Sequence, residues 1–334
     1  MTTDYDVIII GAGPAGASCA KHLVENGVKT LVIEKRKLPR VKCCCGLLSE
    51  RSIKFINENL GDVPESIINE NKIIKLQFSF FLNKFLKLSK RKWLSVNRKE
   101  FDNWIFSKSK CEILENALYL NNSITNDKII VRCKDSKNNI ISLFCNFLIG
   151  ADGGNSFVRK SIDRSYMTKE MTIFEQKYYT GSKHFKSNYM YYMVNSKLSD
   201  KCSWFMNKNE LIYMGTSYSF KNINTNYHQR LLEYLKKRSY FSELSSPIAS
   251  ELCLVDMRFG KIRYCFGKDQ ILLIGEASGL ISIVGEGISS ALISGKYAAE
   301  SIIESSMNKN KAINIYLSKV LKEKAEISNI RKQF

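Results

Sequence analysis

The stretch that decides the fold is residues 5–34, YDVIIIGAGPAGASCAKHLVENGVKTLVIE. Asp6 to Ile10 is a short apolar run rich in β-branched residues, which predicts a buried parallel strand. The glycine loop follows without a gap, and an amphipathic segment to about Asn26 predicts a helix. Thr30 to Ile33 is a second apolar strand. This order predicts the strand, loop, helix and strand of a nucleotide-binding α/β unit.

The loop and the end of the second strand supply what a dinucleotide needs. Gly11 permits the tight turn out of the strand, Gly13 lets the backbone approach a pyrophosphate, and Gly16 lets the helix pack near the strand. The N–H groups at the helix start would then meet the phosphates. Glu34 stands where a carboxylate accepts hydrogen bonds from ribose hydroxyls. The alternative is a glycine-rich turn in an ordinary α/β domain.

Composition excludes several classes of protein. The 334 residues are many for one core and predict two lobes. The net charge is +19, but the basic residues are scattered and no recognised DNA- or RNA-binding motif is present, so we expect no nucleic-acid partner. Ten cysteines without a secretion signal predict free thiols in a reducing compartment, and their spacing does not favour a metal site.

The predicted location is the cytoplasm. No apolar run approaches the ~18 residues that a membrane helix needs. Because the surface is basic, peripheral contact with an anionic membrane stays open.

The rest of the chain shows two different hydrophobic patterns. Between about 164 and 261, aromatic and β-branched residues alternate as in an antiparallel sheet, whereas the buried pattern returns from Gln270. The other predicted elements are a helix from Glu50 to Glu58 capped by Ser49, a hairpin over 72–88 with a turn at Asn83, a helix over 97–106 capped by Asn97, a hairpin of 129–133 with 140–144, a strand at 147–149, and helices over 228–238 and 310–327.

Three motifs recur in a fixed order: GAGPAG at 11–16, GADGGNSFVR at 150–159, and GEASG at 275–279 followed by GEGI at 285–288. Together they resemble the FAD-dependent enzymes of the p-hydroxybenzoate hydroxylase type, over nearly the whole chain. The resemblance implies that Asp152 orients its loop by accepting backbone hydrogen bonds. It also implies that Glu276 replaces the usual aspartate, and that the helix after Gly285 points its N-terminus at the flavin.

A narrower resemblance is to the geranylgeranyl reductase group. KCCCGLLSER at 42–51 resembles the KPCGGLLSxR segment of that group, with Cys44 on its cysteine, and NRKEFD at 97–102 resembles its RxxFD helix. CSWFMNK at 202–208 resembles its YxWxFPK segment. The chain departs from the pattern in three places. Cys43 and Cys45 replace a Pro and a Gly, and Cys202, Met206 and Asn207 replace the Tyr, Phe and Pro of YxWxFPK. The loop between 279 and 285 lacks the usual Pro and is one residue short.

The resemblance implies an α/β fold, with a Rossmann-like FAD-binding domain (GR2/PHBH type) and an inserted, mostly antiparallel β-sheet substrate domain. We predict residues 1–71, 95–163 and 262–334 for the first domain, and 72–94 and 164–261 for the second.

The predicted cofactor is FAD. The predicted cofactor-binding residues are Gly11, Gly13, Pro14, Ala15, Gly16, Glu34, Lys35, Arg40, Cys45, Gly46, Arg98, Asp152, Gly275, Glu276, Gly279, Gly285, Gly287 and Ile288. No metal residues are predicted.

Four further residues are predicted near the chemistry. Trp204, Phe205 and Tyr213 are predicted to line a substrate pocket, with core packing as the alternative. Cys44 is the predicted catalytic proton donor, because the neighbouring charges of Arg40 and Lys42 would favour a thiolate. A buried packing thiol is the alternative.

The resemblance implies an oxidoreductase that reduces C=C bonds of an isoprenoid or similar small apolar substrate. A flavin-dependent monooxygenase that uses oxygen is the main alternative. A halogenase matches only at Trp204, and an electron-transfer flavoprotein would usually add a cysteine cluster that this chain lacks. Because no second nucleotide fingerprint is present, NAD(P)H or a redox protein is expected to bind transiently as the electron donor.

Overall fold

The structure is a computed structural model that describes residues 3–79, 87–256, 263–282 and 285–332. The strands are β1 (Tyr5–Ile10), β2 (Thr30–Glu34), β3 (Leu47–Leu48), β4 (Ile68–Ser79), β5 (Lys87–Val96), β6 (Glu112–Glu115), β7 (Leu118–Thr125), β8 (Lys128–Lys134), β9 (Ile140–Gly150), β10 (Thr172–Tyr179), β11 (Gly181–Lys183), β12 (Tyr189–Met193), β13 (Ser203–Lys208), β14 (Leu211–Ser219), β15 (Phe241–Leu244), β16 (Ala249–Val255), β17 (Gly267–Lys268) and β18 (Ile271–Leu273). The α-helices are α1 (Pro14–Glu25), α2 (Glu50–Asn59), α3 (Arg98–Ser107), α4 (Phe157–Ile162), α5 (Tyr227–Lys236), α6 (Ile288–Glu304) and α7 (Lys309–Lys332).

The chain forms two compact units, and each has its own large sheet. Unit 1 comprises Met1–Arg40, Asp102–Thr168 and Asp256–Phe334, and unit 2 comprises Val41–Phe101 and Lys169–Val255. Each unit is therefore assembled from separate stretches of the chain.

The sheet of unit 1 is built around β1. Its strand order is β17-β18-β9-β1-β2-β6, and the β7–β8 hairpin extends it from β9. β1 pairs in parallel with β2 and β9, and β18 pairs in parallel with β9. Val7 to Ile10 are buried, as expected for a parallel strand covered on both faces. The carboxyl ends of β1, β9 and β18 therefore lie at one edge of this sheet.

Helix α6 packs very closely on α1. The Ser18 hydroxyl donates a hydrogen bond to the Leu292 carbonyl at 2.7 Å. A Cβ atom added to Gly295 would lie 2.3 Å from the Ala15 carbonyl oxygen, so only glycine allows this backbone approach. The C-terminal part of the chain thus holds the helix that follows the first glycine loop.

The sheet of unit 2 is mostly antiparallel, in the order β16-β10-β14-β13-β12-β4-β5-β3. The exception among its described pairs is β4 with β12, which run in parallel. One face of the sheet packs on α5 through a buried cluster that includes Tyr191, Phe205 and Leu231. The strands β11 and β15 form a separate two-stranded sheet.

The division into units differs from the predicted domain boundaries. Residues 41–71 and 95–101 were predicted in the FAD-binding domain, but they belong to unit 2. The reason is strand pairing, because β3 and β4 both pair with β5, and β4 also pairs with β12. Residues 164–168, predicted in the substrate domain, belong to unit 1.

Most of the predicted elements are present. Ser49 caps α2, since the backbone N–H of Ser52 donates to its hydroxyl at 3.2 Å. The segments 140–144 and 147–149, predicted as two strands, form the single strand β9 because β8 and β1 pair with it along its length. β6 and β7 were not predicted, and the predicted turn at Asn83 lies outside the described residues. No helix in the described parts of the chain is long and apolar enough to cross a membrane.

Candidate functional site

The first glycine loop lies at the carboxyl end of β1 in unit 1. Gly11 has φ +106°, and a Cβ added there would lie 2.6 Å from the Ala151 carbonyl oxygen. A Cβ on Gly16 would lie 2.0 Å from the Gly11 carbonyl oxygen, so both glycines are needed by the chain itself. A Cβ on Gly13 would meet only the Arg40 guanidinium, at 3.5 Å. The space beside Gly13 is the approach that a pyrophosphate uses in this kind of loop.

The N-terminus of α1 fits an anion. The helix begins at Pro14, and its capping residue Gly13 has no side chain to satisfy the first N–H groups. Ala15 and Gly16 are buried in its first turn. Free backbone donors and the helix dipole together favour phosphate at this point.

Glu34 ends β2 as a buried carboxylate with several partners. Its Oε2 accepts a hydrogen bond from the Ala12 N–H at 3.0 Å, and its Oε1 accepts from the Arg36 N–H at 3.1 Å. The Arg40 Nε lies 3.3 Å from Oε2, and the Arg40 Nη1 lies 3.4 Å from the Asp102 carboxylate. The Arg40 charge is thus paired with two carboxylates of unit 1.

Asp152 lies in the loop after β9, at the same edge of the sheet. Its carboxylate accepts from the Ser156 hydroxyl at 2.5 Å and from the N–H groups of Phe157 and Val158 at 2.7 and 3.3 Å. It therefore accepts backbone hydrogen bonds at the start of α4, as predicted. Lys35, which follows Glu34, is exposed.

Arg159 joins the second and third motifs and was not predicted as a site residue. Its side chain is fully buried, and its guanidinium donates to the carbonyls of Ala277 at 3.3 Å and Arg263 at 2.6 Å. The guanidinium carbon lies 3.8 Å from the centre of the Tyr166 ring. A buried arginine that donates to two backbone carbonyls fixes the third motif relative to α4.

The third motif follows β18 at the same edge. Gly275 and Gly279 have φ +58° and +89°, and a Cβ on Gly153 would lie 4.0 Å from the Glu276 carboxylate, so this carboxylate faces the second motif. Gly285 has φ +78°, Gly287 is the capping residue of α6, and Ile288 begins the helix. The unit 1 residues predicted to bind FAD thus lie on the strand ends, loops and helix starts at one edge of one sheet.

In unit 2, the three cysteines face different partners. The Cys43 thiol contacts the Phe174 carbonyl at 3.9 Å, and the Cys45 thiol donates to the Gln176 side-chain oxygen at 3.5 Å. The Cys44 sulfur accepts from the Gly46 N–H at 3.4 Å. A hydrogen bond to Cys253, together with burial, raises the pKa of Cys43, and burial raises the pKa of Cys45. Both neighbours of Cys44 are therefore neutral thiols.

The buried side chain of Lys208 binds the backbone of the same loop. Its ammonium donates to the carbonyls of Cys45 at 3.0 Å and Val96 at 2.6 Å, and the residue is 3% exposed. A Cβ on Gly46 would lie 2.8 Å from this nitrogen and 3.2 Å from the Arg98 Cγ. Cys45, Gly46 and Arg98, all predicted to bind cofactor, therefore meet around one buried ammonium. The sequence matched Lys208 to a motif but did not predict its burial.

The aromatic residues predicted for the substrate pocket lie on two faces of the unit 2 sheet. Trp204 and Tyr213 share the face that residues 43–46, called the cysteine loop below, contact. On this face the Tyr213 ring packs edge-on against the Tyr178 ring, with ring centres 4.6 Å apart. Phe205 lies on the other face, stacked on Tyr191 at 4.6 Å. Successive side chains of a strand alternate, so Phe205 cannot share a wall with its neighbour Trp204. Its assignment to the pocket is corrected to core packing.

The burial of Lys208 predicts a pH-dependent stability. Burial lowers its pKa from the ordinary 10.5 to about 8. Below pH 8 both folded and unfolded chains carry the proton, and the cost of burying the charge is fully present. Between pH 8 and 10.5 the unfolded chain binds more protons, so this residue makes the unfolding free energy rise with pH. The total rise is about 3 kcal/mol, at 1.36 kcal/mol per pKa unit.

Urea unfolding at several pH values checks this expectation. The difference in unfolding free energy between the wild-type protein and Lys208→Met should rise from pH 8 to 10.5, which separates Lys208 from other groups that titrate there. Lys236→Met, at an exposed position of α5, is the control and should give a flat difference. A flat difference for Lys208→Met as well would contradict the prediction.

Comparison with known proteins agrees with this geometry. Residues 4–230 match the family described as FAD binding domain. Protein CbrA of Shigella sonnei (strain Ss046) is 28% identical over 299 residues, which cover 86% of this chain and 81% of that protein.

Solved structures share the fold. A geranylgeranyl bacteriochlorophyll reductase-like protein of Thermoplasma acidophilum gives a TM-score of 0.78 at 22% identity, over 96% of this chain and 83% of that one. Aklavinone-11 hydroxylase, solved with FAD and aklavinone, gives 0.68 at 16% identity, over 92% of this chain and 63% of that one.

The family match covers more than half of the chain and includes the first two of the three motifs. The loops of unit 1 present the uncapped helix start, the open approach at Gly13 and the carboxylate of Glu34 that this cofactor requires. The chain therefore belongs to the FAD-binding-domain family and is an FAD-dependent oxidoreductase of the p-hydroxybenzoate hydroxylase-type fold.

Proposed function

We propose that this oxidoreductase reduces C=C bonds of an isoprenoid or a similarly apolar chain. The observation that carries the proposal is the sheet face of unit 2 on which Trp204 and Tyr213 lie, together with the cysteine loop that contacts it. An aromatic face suits an apolar substrate, and the KCCCGLLSER loop resembles that of the geranylgeranyl reductase group.

The residues that would hold FAD are those of the three unit 1 motifs. Gly13 and the first turn of α1 would receive the pyrophosphate, and Glu34 would receive the ribose. Asp152 keeps its own loop in place at the same edge, and the Glu276 carboxylate faces that loop. When bound, FAD supplies the two-electron redox chemistry, and the protein supplies position and electrostatics.

Reduction of a C=C bond also needs a proton at one carbon. Cys44 is the proposed source, because the thiols of Cys43 and Cys45 already contact protein groups on the sheet face. The Cys44 sulfur accepts a hydrogen bond from the Gly46 N–H at 3.4 Å, which orients this sulfur within the loop.

Two partners complete the proposal. The electron donor is NAD(P)H or a redox protein that binds transiently. We also propose a cytoplasmic protein whose net charge of +19 allows peripheral contact with anionic membranes that hold apolar substrates.

Product analysis tests the proposed reaction. The FAD-loaded protein is reduced with dithionite without oxygen and mixed with geranylgeraniol, an isoprenoid alcohol used as the probe. We expect a product with two added hydrogens per reduced bond, found by mass spectrometry and absent when the protein is omitted. A product that forms only with oxygen and contains one added oxygen atom would instead identify a monooxygenase.

A further inference from the structure

Gln176 lies at the centre of the unit 2 sheet face and is absent from every motif of the sequence. Its side chain is fully buried in β10 and makes three hydrogen bonds. Its oxygen receives the Trp204 indole N–H at 3.3 Å and the Cys45 thiol at 3.5 Å. Its nitrogen lies 2.7 Å from the Tyr178 hydroxyl. One amide thus joins the cysteine loop to two aromatic side chains.

The direction of these hydrogen bonds follows from chemistry. An indole N–H can only donate, so the atom that it meets must be the amide oxygen of Gln176. The amide nitrogen must then donate to the Tyr178 hydroxyl, which leaves the Tyr178 proton for its other partner, Glu251. The orientation of Gln176 is therefore determined from both sides, by Trp204 and by the Tyr178–Glu251 pair.

The indole of Trp204 also packs against Gly215 and Phe174 on this face. Gly215 is paired with both Gln176 and Trp204 across the strands. A Cβ on Gly215 would lie 2.0 Å from the indole, so the ring lies flat on this glycine. Phe174 packs beside it, with ring centres 5.7 Å apart. The Gly215 backbone therefore sets the distance of the indole from the sheet, and Gln176 sets the orientation of its N–H group.

We propose that Gln176 is a positioning residue, which holds the Cys45 end of the cysteine loop and the Trp204 indole in one arrangement on the sheet face. The assignment rests on the proposed function for its catalytic consequence, since this face and loop are the proposed substrate side. Lys208 donates to the Cys45 backbone carbonyl, whereas Gln176 contacts only the Cys45 thiol. The positioning role of Gln176 therefore concerns the Cys45 side chain and not its backbone.

The test replaces Gln176 with Met, which keeps the length of the side chain and removes both hydrogen-bonding atoms. The matched control is Gln270→Met in unit 1, where a buried glutamine donates to the Asp127 carbonyl at 3.3 Å. Iodoacetamide alkylation of Cys45 is followed by peptide mass mapping in the FAD-loaded proteins. We expect Gln176→Met to speed alkylation of Cys45 about tenfold, as for one lost hydrogen bond, and Gln270→Met to leave it unchanged.

Catalysis supplies the second readout. With geranylgeraniol as the probe, kcat/KM should fall about tenfold in Gln176→Met, while the rate of flavin reduction by dithionite stays at the wild-type value. If Gln176 only stabilised the fold, Gln176→Met would lower the melting temperature but would not lower kcat/KM while the rate of flavin reduction stayed unchanged. If the wild-type protein does not reduce geranylgeraniol, the proposed function is in doubt, but alkylation of Cys45 still decides the role of Gln176.

Gln176→Glu completes the set. Its carboxyl keeps an oxygen that can accept from Trp204 and Cys45, and any negative charge on it disfavours the reactive thiolate, so alkylation of Cys45 should be no faster than in the wild type. Wild-type alkylation in Gln176→Met would overturn the proposal. Equal acceleration in both variants would overturn it too, as would failure of both to fold while Gln270→Met folds, because the amide would then serve the fold rather than the site.

Discussion

Replacing Gly13 with alanine should abolish tight FAD binding while leaving the chain folded. The backbone of Gly13 has φ −76° and ψ −178°, which alanine adopts without strain. The added Cβ would lie 3.5 Å from the Arg40 guanidinium, an ordinary contact, but on the side from which a pyrophosphate approaches. We expect FAD affinity to fall by roughly 100-fold, as for two lost charged hydrogen bonds, and unfolding of the FAD-free protein to change by less than about 1 kcal/mol.

Gly16→Ala is the matched comparison, because the same added methyl group has no space there. Its Cβ would lie 2.0 Å from the Gly11 carbonyl oxygen, so this variant should lose the fold itself. Isothermal titration with FAD and thermal unfolding of the FAD-free proteins separate the two effects. Wild-type FAD affinity in Gly13→Ala would show that the pyrophosphate does not approach this residue.

Replacing Cys44 with serine should slow substrate reduction by about 10²–10⁴-fold, the usual weight of general acid catalysis. The serine hydroxyl is a much weaker acid than the thiol but has nearly the same shape, so FAD binding and fold should be kept. Single-turnover reduction of geranylgeraniol measures the loss. Flavin reduction by dithionite should be unaffected, because no substrate proton is involved.

Cys43→Ser and Cys45→Ser are the controls within the same loop. Their thiols contact the Phe174 carbonyl and the Gln176 amide, so their replacement should change the rate much less. If Cys44→Ser turns over normally while one neighbour is inactive, the matching of this loop to the reductase segment is shifted by one residue. Normal rates in all three would assign the proton to another group.

The sequence predicts local structure well because those signals are local. The strand, glycine loop and helix over 5–34 follow from hydrophobic periodicity and glycine spacing, and the structure confirms them. The unit boundaries could not be predicted in this way. Residues 41–71 join unit 2 through pairing of β3 and β4 with distant strands, and pairing partners leave no mark in local composition.

The misassigned and missed site residues have different causes. Phe205 was misassigned although the two-residue period of strands, applied from Trp204, would have placed it on the opposite face. Gln176 and Arg159 were missed because nothing in a single sequence marks one polar residue in a strand or helix as fully buried.

The pairing of β18 with β9 and the packing of α6 on α1 determine how late in synthesis the sheet of unit 1 can finish folding. The first 40 residues contain the nucleotide loop, yet the strand and helix that enclose it come from beyond residue 270. The nascent chain must therefore carry an unfinished sheet edge at β9 for more than a hundred residues of elongation. Contacts so distant in sequence make folding slow and favour aggregation of incomplete chains. Truncation before Ile271 should accordingly yield insoluble protein, and supply of FAD should raise soluble yield only for chains that extend through α6.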